Sequence, residues 1–498
     1  MPLPVAPEAG PGDGVPGYRR HRPERTLLYQ LVAQYYPAFA DLMAAQGRPL
    51  PDYIHREFED YLKCGRLEHG FLRVRCTSCH QEQLVAFSCK RRGFCPSCGA
   101  RRMAESAALL VDDILPEAPV RQWVLSFPYA LRFLFATRPA AMGRVPGIVY
   151  RTLATHQIRK AGHTHGSART GAVTLIQRFG SALNLNIHFH MLLLDGVYTG
   201  GHAAQDKPRF QRVKAPERTE LEQLVYTISE RTGRYLERQG LLVRDLDNSY
   251  LALEPAEETG LEGVLGSSIT YRIAVGPQQG RKAFCLQSLP AAGSLEESNA
   301  RVAKVAGFSL HAGVAAARHE RQKLERLCRY ISRPAIAEPR LSLTPSGNVR
   351  YQLKTPYRDG TTHVIFEPLD FMARLAALVP RPRVNLTRYH GVFAPNSPHR
   401  ALVTKAGRGR GAQRKASDEV EEDTPAARRS AMTWAQHLKR VFRIDVETCQ
   451  ACGGAMKILA SIEDPVVIRK ILAHVGETAP VREVVRLPGP RAPPAGWV

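Results

Sequence analysis

The tripeptide His188-Phe189-His190 lies inside a largely apolar run, Leu185 to Leu194, that the turn-forming pair Asp195-Gly196 closes. The length and apolar character of this run predict a buried β-strand. Residues i and i+2 of a strand share a face and lie about 6.5–7 Å apart along the chain. Two imidazoles can therefore converge on one cation while Phe189 packs into a core on the other face. The run predicts a metal site built on a strand.

A second His-x-His pair, His163-Thr164-His165, lies between Gly162 and Gly166 in a basic segment with few apolar residues. In a chain with 17 histidines, a pair at this spacing can arise by chance. Because the strand context is missing, we expect a loop here and no metal site.

The chain of 498 residues is strongly basic, with 69 Lys and Arg against 46 Asp and Glu and a net charge of +23. Such a charge points to a polyanionic partner, most commonly nucleic acid. The apolar stretches are shorter than the roughly 18 residues that a membrane span needs. The Pro- and Gly-rich beginning of the sequence shows no secretory signal. We therefore expect a cytoplasmic protein whose ten cysteines bind metal rather than form disulfides.

Two Cys-x2-Cys pairs, Cys76 with Cys79 and Cys95 with Cys98, are separated by 15 residues. This spacing is typical of a structural zinc site with four thiolate ligands. The segment also carries cations that can face DNA phosphates, namely Lys90, Arg91, Arg92, Arg101 and Arg102.

Four further cysteines have no assigned role: Cys64, Cys89, Cys449 and Cys452. The first two either form a second site with His69 or are ordinary core thiols. The last two form a single Cys-x2-Cys pair. This pair either joins distant ligands such as His437 and His474 or is merely structural.

Periodicity and turn signals predict mixed secondary structure. The predicted helices span residues 26–46, 50–63, 99–115, 218–239, 310–332 and 368–378. The predicted strands span residues 122–127, 172–179 and 186–194. Two hairpins are also predicted, one from 269–275 with 282–287 and the other from 349–353 with 362–366.

Composition divides the chain into six segments. These are a disordered N-terminus (1–25), a zinc-binding domain (26–115), a mixed domain (116–396), a charged linker (397–430), a small segment with a Cys pair (431–476) and a Pro-rich tail (477–498).

An amphipathic helix is predicted before Pro334, with Leu324, Leu327, Cys328 and Ile331 on its apolar face. Tyr330 lies at the edge of that face and shares a stripe with Lys323 and Arg326. Cations stabilise a phenolate, so this tyrosine can attack a phosphodiester. It can equally be a boundary residue that only packs.

Several segments resemble IS91-type rolling-circle transposases, which belong to the HUH nuclease superfamily. They are Ile176 to Asn184 leading to His188-Phe189-His190, Phe87 to Lys90, Phe94 to Cys98, and Arg388 to Asn396. The resemblance covers roughly residues 26–400 and the segment after Cys449. It implies an α+β fold, in which an HUH-type antiparallel sheet with flanking helices follows a small helical zinc-binding domain.

The resemblance also implies roles for single residues. His188 and His190 become ligands of a catalytic Mg²⁺ or Mn²⁺, and Tyr330 becomes a nucleophile that forms a 5′-phosphotyrosine with single-stranded DNA. Gln177 is a candidate third ligand. Two-tyrosine members carry a second tyrosine four residues earlier, where this chain has Arg326.

The resulting functional hypothesis is a rolling-circle transposase with structural zinc. Two alternatives stay open at this point. One is a plasmid or phage replication initiator or relaxase with the same chemistry, and the other is a zinc-dependent DNA-binding regulator without catalysis.

Overall fold

A computed structural model describes residues 22–200, 208–244, 249–252, 260–287, 302–406 and 447–475. These residues fall into two compact units. The first draws on the described parts of 1–29, 60–90 and 417–484, and the second on those of 30–59, 91–416 and 485–498. The predicted domain boundaries, which assume continuous segments, stay a prediction.

Each predicted helix has a counterpart in the structure, although the one predicted from residue 310 begins later, and the helices at 129–137, 139–160 and 261–269 were not predicted. Their bounds are α1 Leu27–Ala45, α2 Asp52–Lys63, α3 Pro96–Leu109, α4 Tyr129–Thr137, α5 Pro139–Lys160, α6 Arg218–Arg238, α7 Leu261–Ile269, α8 Arg321–Ser332, α9 Pro368–Leu378, α10 Arg400–Val403 and α11 Pro465–His474. None of them, within the described residues, is long and apolar enough to cross a bilayer.

The strands form antiparallel pairs throughout the described residues. Their bounds are β1 Phe71–Cys76, β2 Glu82–Ala86, β3 Val120–Ser126, β4 Ala168–Arg169, β5 Gly171–Phe179, β6 Leu185–Leu194, β7 Gly196–Thr199, β8 Arg209–Arg212, β9 Leu242–Arg244, β10 Ser249–Leu251, β11 Phe284–Gln287, β12 Val302–Val305, β13 Phe308–Ala316, β14 Leu341–Leu343, β15 Val349–Gln352, β16 Thr361–Phe366, β17 Thr387–Gly391 and β18 Met456–Ile462. The predicted α+β class, with an antiparallel sheet flanked by helices, is confirmed.

The second unit is organised around a six-stranded sheet of order β12-β13-β3-β6-β5-β17. Strand β6 contains His188 and His190 and lies in the interior of this sheet, between β3 and β5. Its predicted burial is confirmed, because eight of its residues from Ile187 onward are buried. A strand covered on both faces needs a nearly continuous apolar sequence, as β6 has.

The two faces of this sheet are covered differently. On one face, Phe189 packs edge-to-face against Phe127, with ring centroids 4.8 Å apart. On the other face, the apolar side of α8 joins a buried cluster with Val173, Leu175 and Leu192. Because opposed residues of antiparallel strands share a face, this is also the face of His188 and His190.

The first unit contains a three-stranded sheet of order β18-β1-β2, in which the C-terminal strand β18 pairs with β1. Its small core brings Leu67 and Phe71 together with Ile468 and Leu472 of α11. Residues from the two ends of the chain therefore build one hydrophobic cluster.

One predicted element is wrong over part of its length, and another forms only in part. The helix predicted from residue 310 begins only at Arg321, because 308–316 form strand β13, which pairs with β3. In the hairpin predicted from 269–275 with 282–287, an antiparallel bridge joins Arg272 to Lys282, but α7 includes Ile269 and strand β11 pairs with β16. The other predicted hairpin, β15 with β16, is confirmed.

A buried ion pair fastens the end of β6 to its neighbours. Arg121 donates two hydrogen bonds, of 2.9 and 2.8 Å, to the two carboxylate oxygens of Asp195. Its remaining Nη1 donates to the carbonyl oxygen of Ala312 at 2.9 Å. The pair is nearly inaccessible, with side-chain exposures of 7% and 2%.

Replacing Asp195 with Ala should lower the free energy of unfolding by about 3–5 kcal/mol, because the Arg121 guanidinium stays buried without its counter-ion. Urea denaturation followed by circular dichroism measures this. The matched control is Glu222→Ala, which breaks the exposed pair with Arg218 and should cost under about 1 kcal/mol. Equal losses in the two variants would contradict the prediction.

Candidate functional site

His188 and His190 point toward each other on the face of β6 that α8 covers. Their Nε2 atoms are 3.1 Å apart. Burial lowers the pKa of His188 to about 4 and outweighs the hydrogen bond to the Asn186 carbonyl, which raises it. The pKa of His190 is also lowered, first by burial and then by the neighbouring His188. Both imidazoles are therefore neutral near pH 7, the form that binds a metal.

Each imidazole is oriented through its other nitrogen. Nδ1 of His188 donates to the carbonyl oxygen of Asn186 at 2.8 Å, which leaves its Nε2 as a lone-pair donor. Nδ1 of His190 lies 2.7 Å from the side-chain amide of Gln122 on β3. Such partners commonly fix the tautomer of a ligating histidine.

The histidine pair fits a divalent cation. Two ligand atoms at right angles on an octahedral ion, each about 2.1 Å from it, are about 3.0 Å apart. The two Nε2 atoms have this separation. The second unit can thus supply two imidazole ligands from one rigid strand and leave further positions for oxygen ligands.

Tyr330 lies on α8 next to this pair. Its ring centroid is 6.3 Å from that of His190, with the rings nearly perpendicular. The side chain is 40% exposed. The apolar face predicted for this helix is confirmed, since Leu324, Leu327, Cys328 and Ile331 are all buried.

Two cations surround the Tyr330 ring. The guanidinium carbon of Arg333 lies 4.4 Å and Nζ of Lys354 4.5 Å from the ring centroid. Burial raises the pKa of Tyr330, but the hydrogen bond and charge of Arg333 and the charge of Lys354 outweigh it, so the pKa is lowered overall. This environment favours the phenolate.

Gln177 lies directly opposite His188 in the pairing of β5 with β6. Its amide nitrogen donates to the carbonyl oxygen of Ile331 at 3.2 Å. Gln177 thus connects the histidine strand to the tyrosine helix. Its predicted role as a metal ligand stays a prediction.

Two of the cations predicted to contact DNA, Lys323 and Arg326, lie on α8, and a DNA-binding role for them stays a prediction. Lys323 pairs with Glu320 at 3.1 Å, and Arg326 is exposed on α8. Neither is among the cations that contact the Tyr330 ring, which are Arg333 and Lys354.

In the segment predicted to bind zinc, Lys90 is exposed and Arg91 half-buried. Arg101 pairs with Glu105 at 2.9 Å. Arg92 and Arg102 donate to backbone carbonyl oxygens. A DNA-binding role for these cations stays a prediction.

Sequence reasoning missed Gln122 and Lys354. Gln122 gave one usable signal, since it is a polar residue within a predicted buried strand. Lys354 gave no sequence signal. It follows the hairpin strand β15, and only folding brings it next to Tyr330.

The pair His163 and His165 lies in a turn, as expected. His163 contacts the amide of Gln211 at 2.7 Å, and His165 contacts the hydroxyl of Thr155 at 3.0 Å. Each imidazole is thus engaged with a different polar partner.

In the first unit, four thiols gather at one end of the β1–β18 pairing. They are Cys76, Cys79, Cys449 and Cys452, whose sulfur atoms all lie within 4.8 Å of one another. Sγ of Cys76 is 3.4 Å from that of Cys452, and Sγ of Cys79 is 3.5 Å from that of Cys449. Thiolates at about 2.3 Å from a tetrahedral Zn²⁺ are about 3.8 Å apart, so this set fits zinc.

The backbone of this thiol set is shaped for an ion. Amide groups of Cys79 and Ser78 lower the pKa of the Cys76 thiol to about 6. A Cβ atom at Gly454 would lie 2.4 Å from Oγ of Ser78 and 2.9 Å from Sγ of Cys76, so a side chain there would occupy the space between the two Cys-x2-Cys turns.

This set differs from the predicted one. Spacing had grouped Cys76 and Cys79 with Cys95 and Cys98, whereas the first unit groups them with Cys449 and Cys452. The reason is β pairing, because Cys76 lies opposite Met456 in the register of β1 with β18.

The remaining candidates for zinc ligation lie elsewhere. Cys95 and Cys98 are buried at the start of α3 in the second unit, and zinc binding by them stays a prediction. The amide of Cys89 donates to Sγ of Cys64 at 3.3 Å. His474 is exposed at the end of α11, and His437 lies outside the described residues.

Two family models match the chain. One, described as "Transposase zinc-binding domain", matches residues 31–127, and the other, described as "Putative transposase", matches residues 171–401. The second range contains His188, His190 and Tyr330. No curated protein and no solved structure matches the chain.

Protein purified without chelator should contain zinc, and the double change Cys449→Ser and Cys452→Ser should remove about one ion per chain. A structural zinc ion contributes on the order of 10 kcal/mol to a small module, so the first unit should also become protease-sensitive. Elemental analysis measures the metal. The control Cys285→Ser changes an exposed thiol outside this set. Unchanged zinc content in the double variant would exclude the set.

Proposed function

Because the chain belongs to the IS91-type transposases, we propose that it is a rolling-circle transposase that cuts and rejoins single DNA strands through Tyr330. The observation that carries this proposal is the juxtaposition of a half-exposed phenol with two buried, neutral imidazoles. These residues are about 140 positions apart in sequence and meet because α8 packs on the face of β6.

Each group in this arrangement has a chemical task. His188 and His190 would hold Mg²⁺ or Mn²⁺, which, when bound, withdraws charge from a phosphate oxygen. Arg333 and Lys354 stabilise the phenolate of Tyr330. Gln122 and the Asn186 carbonyl keep the imidazoles oriented.

The bond changes follow from the nucleophile. The Tyr330 oxygen attacks the scissile phosphorus, and the bond from phosphorus to the 3′ oxygen breaks. The tyrosine proton passes to solvent, and the leaving 3′ oxygen takes up a proton. The products are a 5′-phosphotyrosine and a free 3′-hydroxyl. Attack by a 3′-hydroxyl reverses these steps, so rejoining consumes no ATP.

The chain offers one tyrosine on α8. Arg326, one helical turn before Tyr330, is exposed and cannot form a phosphoester. Each polypeptide therefore carries one covalent DNA end at a time, and a reaction with two simultaneous ends requires two chains.

The zinc-binding match upstream of the nuclease residues supports a transposase over a replication initiator or relaxase. A regulator without catalysis gives no reason for two buried neutral imidazoles to lie beside a phenol of lowered pKa. An initiator or relaxase thus leaves the zinc-binding match unexplained, and a regulator leaves the histidine–tyrosine site unexplained.

Changing Tyr330 to Phe should abolish strand cleavage and the covalent protein–DNA adduct, because no other tyrosine lies on the helix. Stability should change by under about 1 kcal/mol, since the ring and its packing remain. Incubation with single strands from the element's ends, followed by denaturing electrophoresis, measures the adduct. Tyr226→Phe, at another exposed tyrosine, is the control. An adduct mapped to a different tyrosine would refute the assignment.

His188→Ala with His190→Ala should reduce cleavage by at least about a hundredfold, because the pair is expected to hold the catalytic cation. Binding of Mn²⁺, followed by electron paramagnetic resonance, should be lost as well, while zinc content stays unchanged. The matched control is His163→Ala with His165→Ala, which removes the same residues at the same spacing. Retained Mn²⁺ binding in the first double variant would contradict the proposal.

A further inference from the structure

A cavity of about 1100 Å³ lies in the second unit, between α5, α6 and the edge strand β17. Its walls carry six arginines and one glutamate. The arginines are Arg144 and Arg151 of α5, Arg231, Arg234 and Arg238 of α6, and Arg388 of β17. We call this feature the arginine cavity.

The positive charge of the arginine cavity is poorly compensated. Among the described residues, Arg144, Arg151 and Arg388 form no ion pair, and Arg234 contacts Glu230 at 3.8 Å. Nε of Arg388 is buried without a hydrogen-bond partner. Guanidinium groups held together with so few counter-charges attract anions.

The floor of the cavity is aromatic and uncharged. His390 stacks on Tyr150 with ring centroids 5.0 Å apart and contacts the hydroxyl of Thr174 at 3.0 Å. Tyr235 of α6 also lines the wall. A cationic rim around aromatic rings is the arrangement with which proteins bind single-stranded nucleic acid.

The arginine cavity is separate from the histidine–tyrosine site. His190 lies opposite Leu175, whereas Arg388 lies opposite Thr174, the next residue of β5. Successive residues of a strand point to opposite faces, so Arg388 and His190 lie on different faces of the sheet. The two sites are only two strands apart, roughly 10 Å.

We propose that the arginine cavity binds the backbone phosphates of single-stranded DNA outside the segment held at Tyr330. The ligand class rests on the proposed function, since a transposase handles flanking or second strands. The geometry favours an extended polyanion over a small one. The three arginines of α6 extend over roughly 10 Å of helix, more than one phosphate group spans.

The test measures DNA binding, not cleavage. Arg144→Gln and Arg151→Gln are introduced together into the Tyr330→Phe protein, and both side chains are exposed, so the fold should persist. The control is Arg209→Gln with Arg212→Gln, which removes two exposed arginines of β8 outside the cavity. Single strands of about 8 and about 30 nucleotides are titrated by fluorescence anisotropy without divalent cations.

We expect the cavity variant to bind the long strand at least tenfold more weakly, and the short strand within about twofold of the parent. The slope of log affinity against log salt should fall by about 1.4 for two lost phosphate contacts. The control should change either affinity by no more than about twofold. These results together support the proposal.

Three outcomes would overturn it. Equal losses in the cavity variant and the control would show a general charge effect. Unchanged binding of the long strand would exclude the cavity. Full competition by inorganic pyrophosphate at constant ionic strength would indicate a small-anion site. The binding assay needs neither metal nor Tyr330. Its result would therefore remain valid even if the proposed cleavage reaction proved wrong.

Discussion

The pairing of β6 between β3 and β5 is the constraint on which the second unit depends. This register places Gln122, His190, His188 and Gln177 on one face, and the apolar side of α8 covers that face. The residues that could act on DNA come from β3, β5, β6 and α8. These elements are far apart in sequence, and the residues meet only at this face of the sheet. A slip of one residue would turn both imidazoles to the opposite side, so the ion pair of Arg121 with Asp195 at the strand end also protects the site.

Much of this site could be predicted from sequence because its signals are local. A strand buried on both faces is apolar along its length, and a helix on a sheet is apolar along one stripe; both patterns appear within about a dozen residues. Strand β6 and the apolar face of α8 were therefore predictable. Lys354 was not, because its distance to Tyr330 depends on how a hairpin packs, and no local pattern encodes that contact.

The remaining differences have one physical cause: β pairing joins residues that are far apart in sequence. Residues 308–316 contain small residues that suggest a helix, yet they form a strand because β3 offers an open edge. The thiol set shows the same effect, since spacing favours nearby cysteines. The β1–β18 ladder instead pairs Cys76 with Met456 and so brings it next to Cys452, which is 376 positions away.

That long-range ladder has a consequence for biosynthesis. A polypeptide emerges from the ribosome in order, and its segments fold as their partners become available. Strand β1 is made long before β18, so Cys76 and Cys79 are made before residues 91–416 of the second unit, and Cys449 and Cys452 only after them. The thiol set therefore closes late, and a transcript interrupted before Cys449 would yield a chain whose first unit lacks half of this set. Completion of this thiol set requires translation to continue past Cys452.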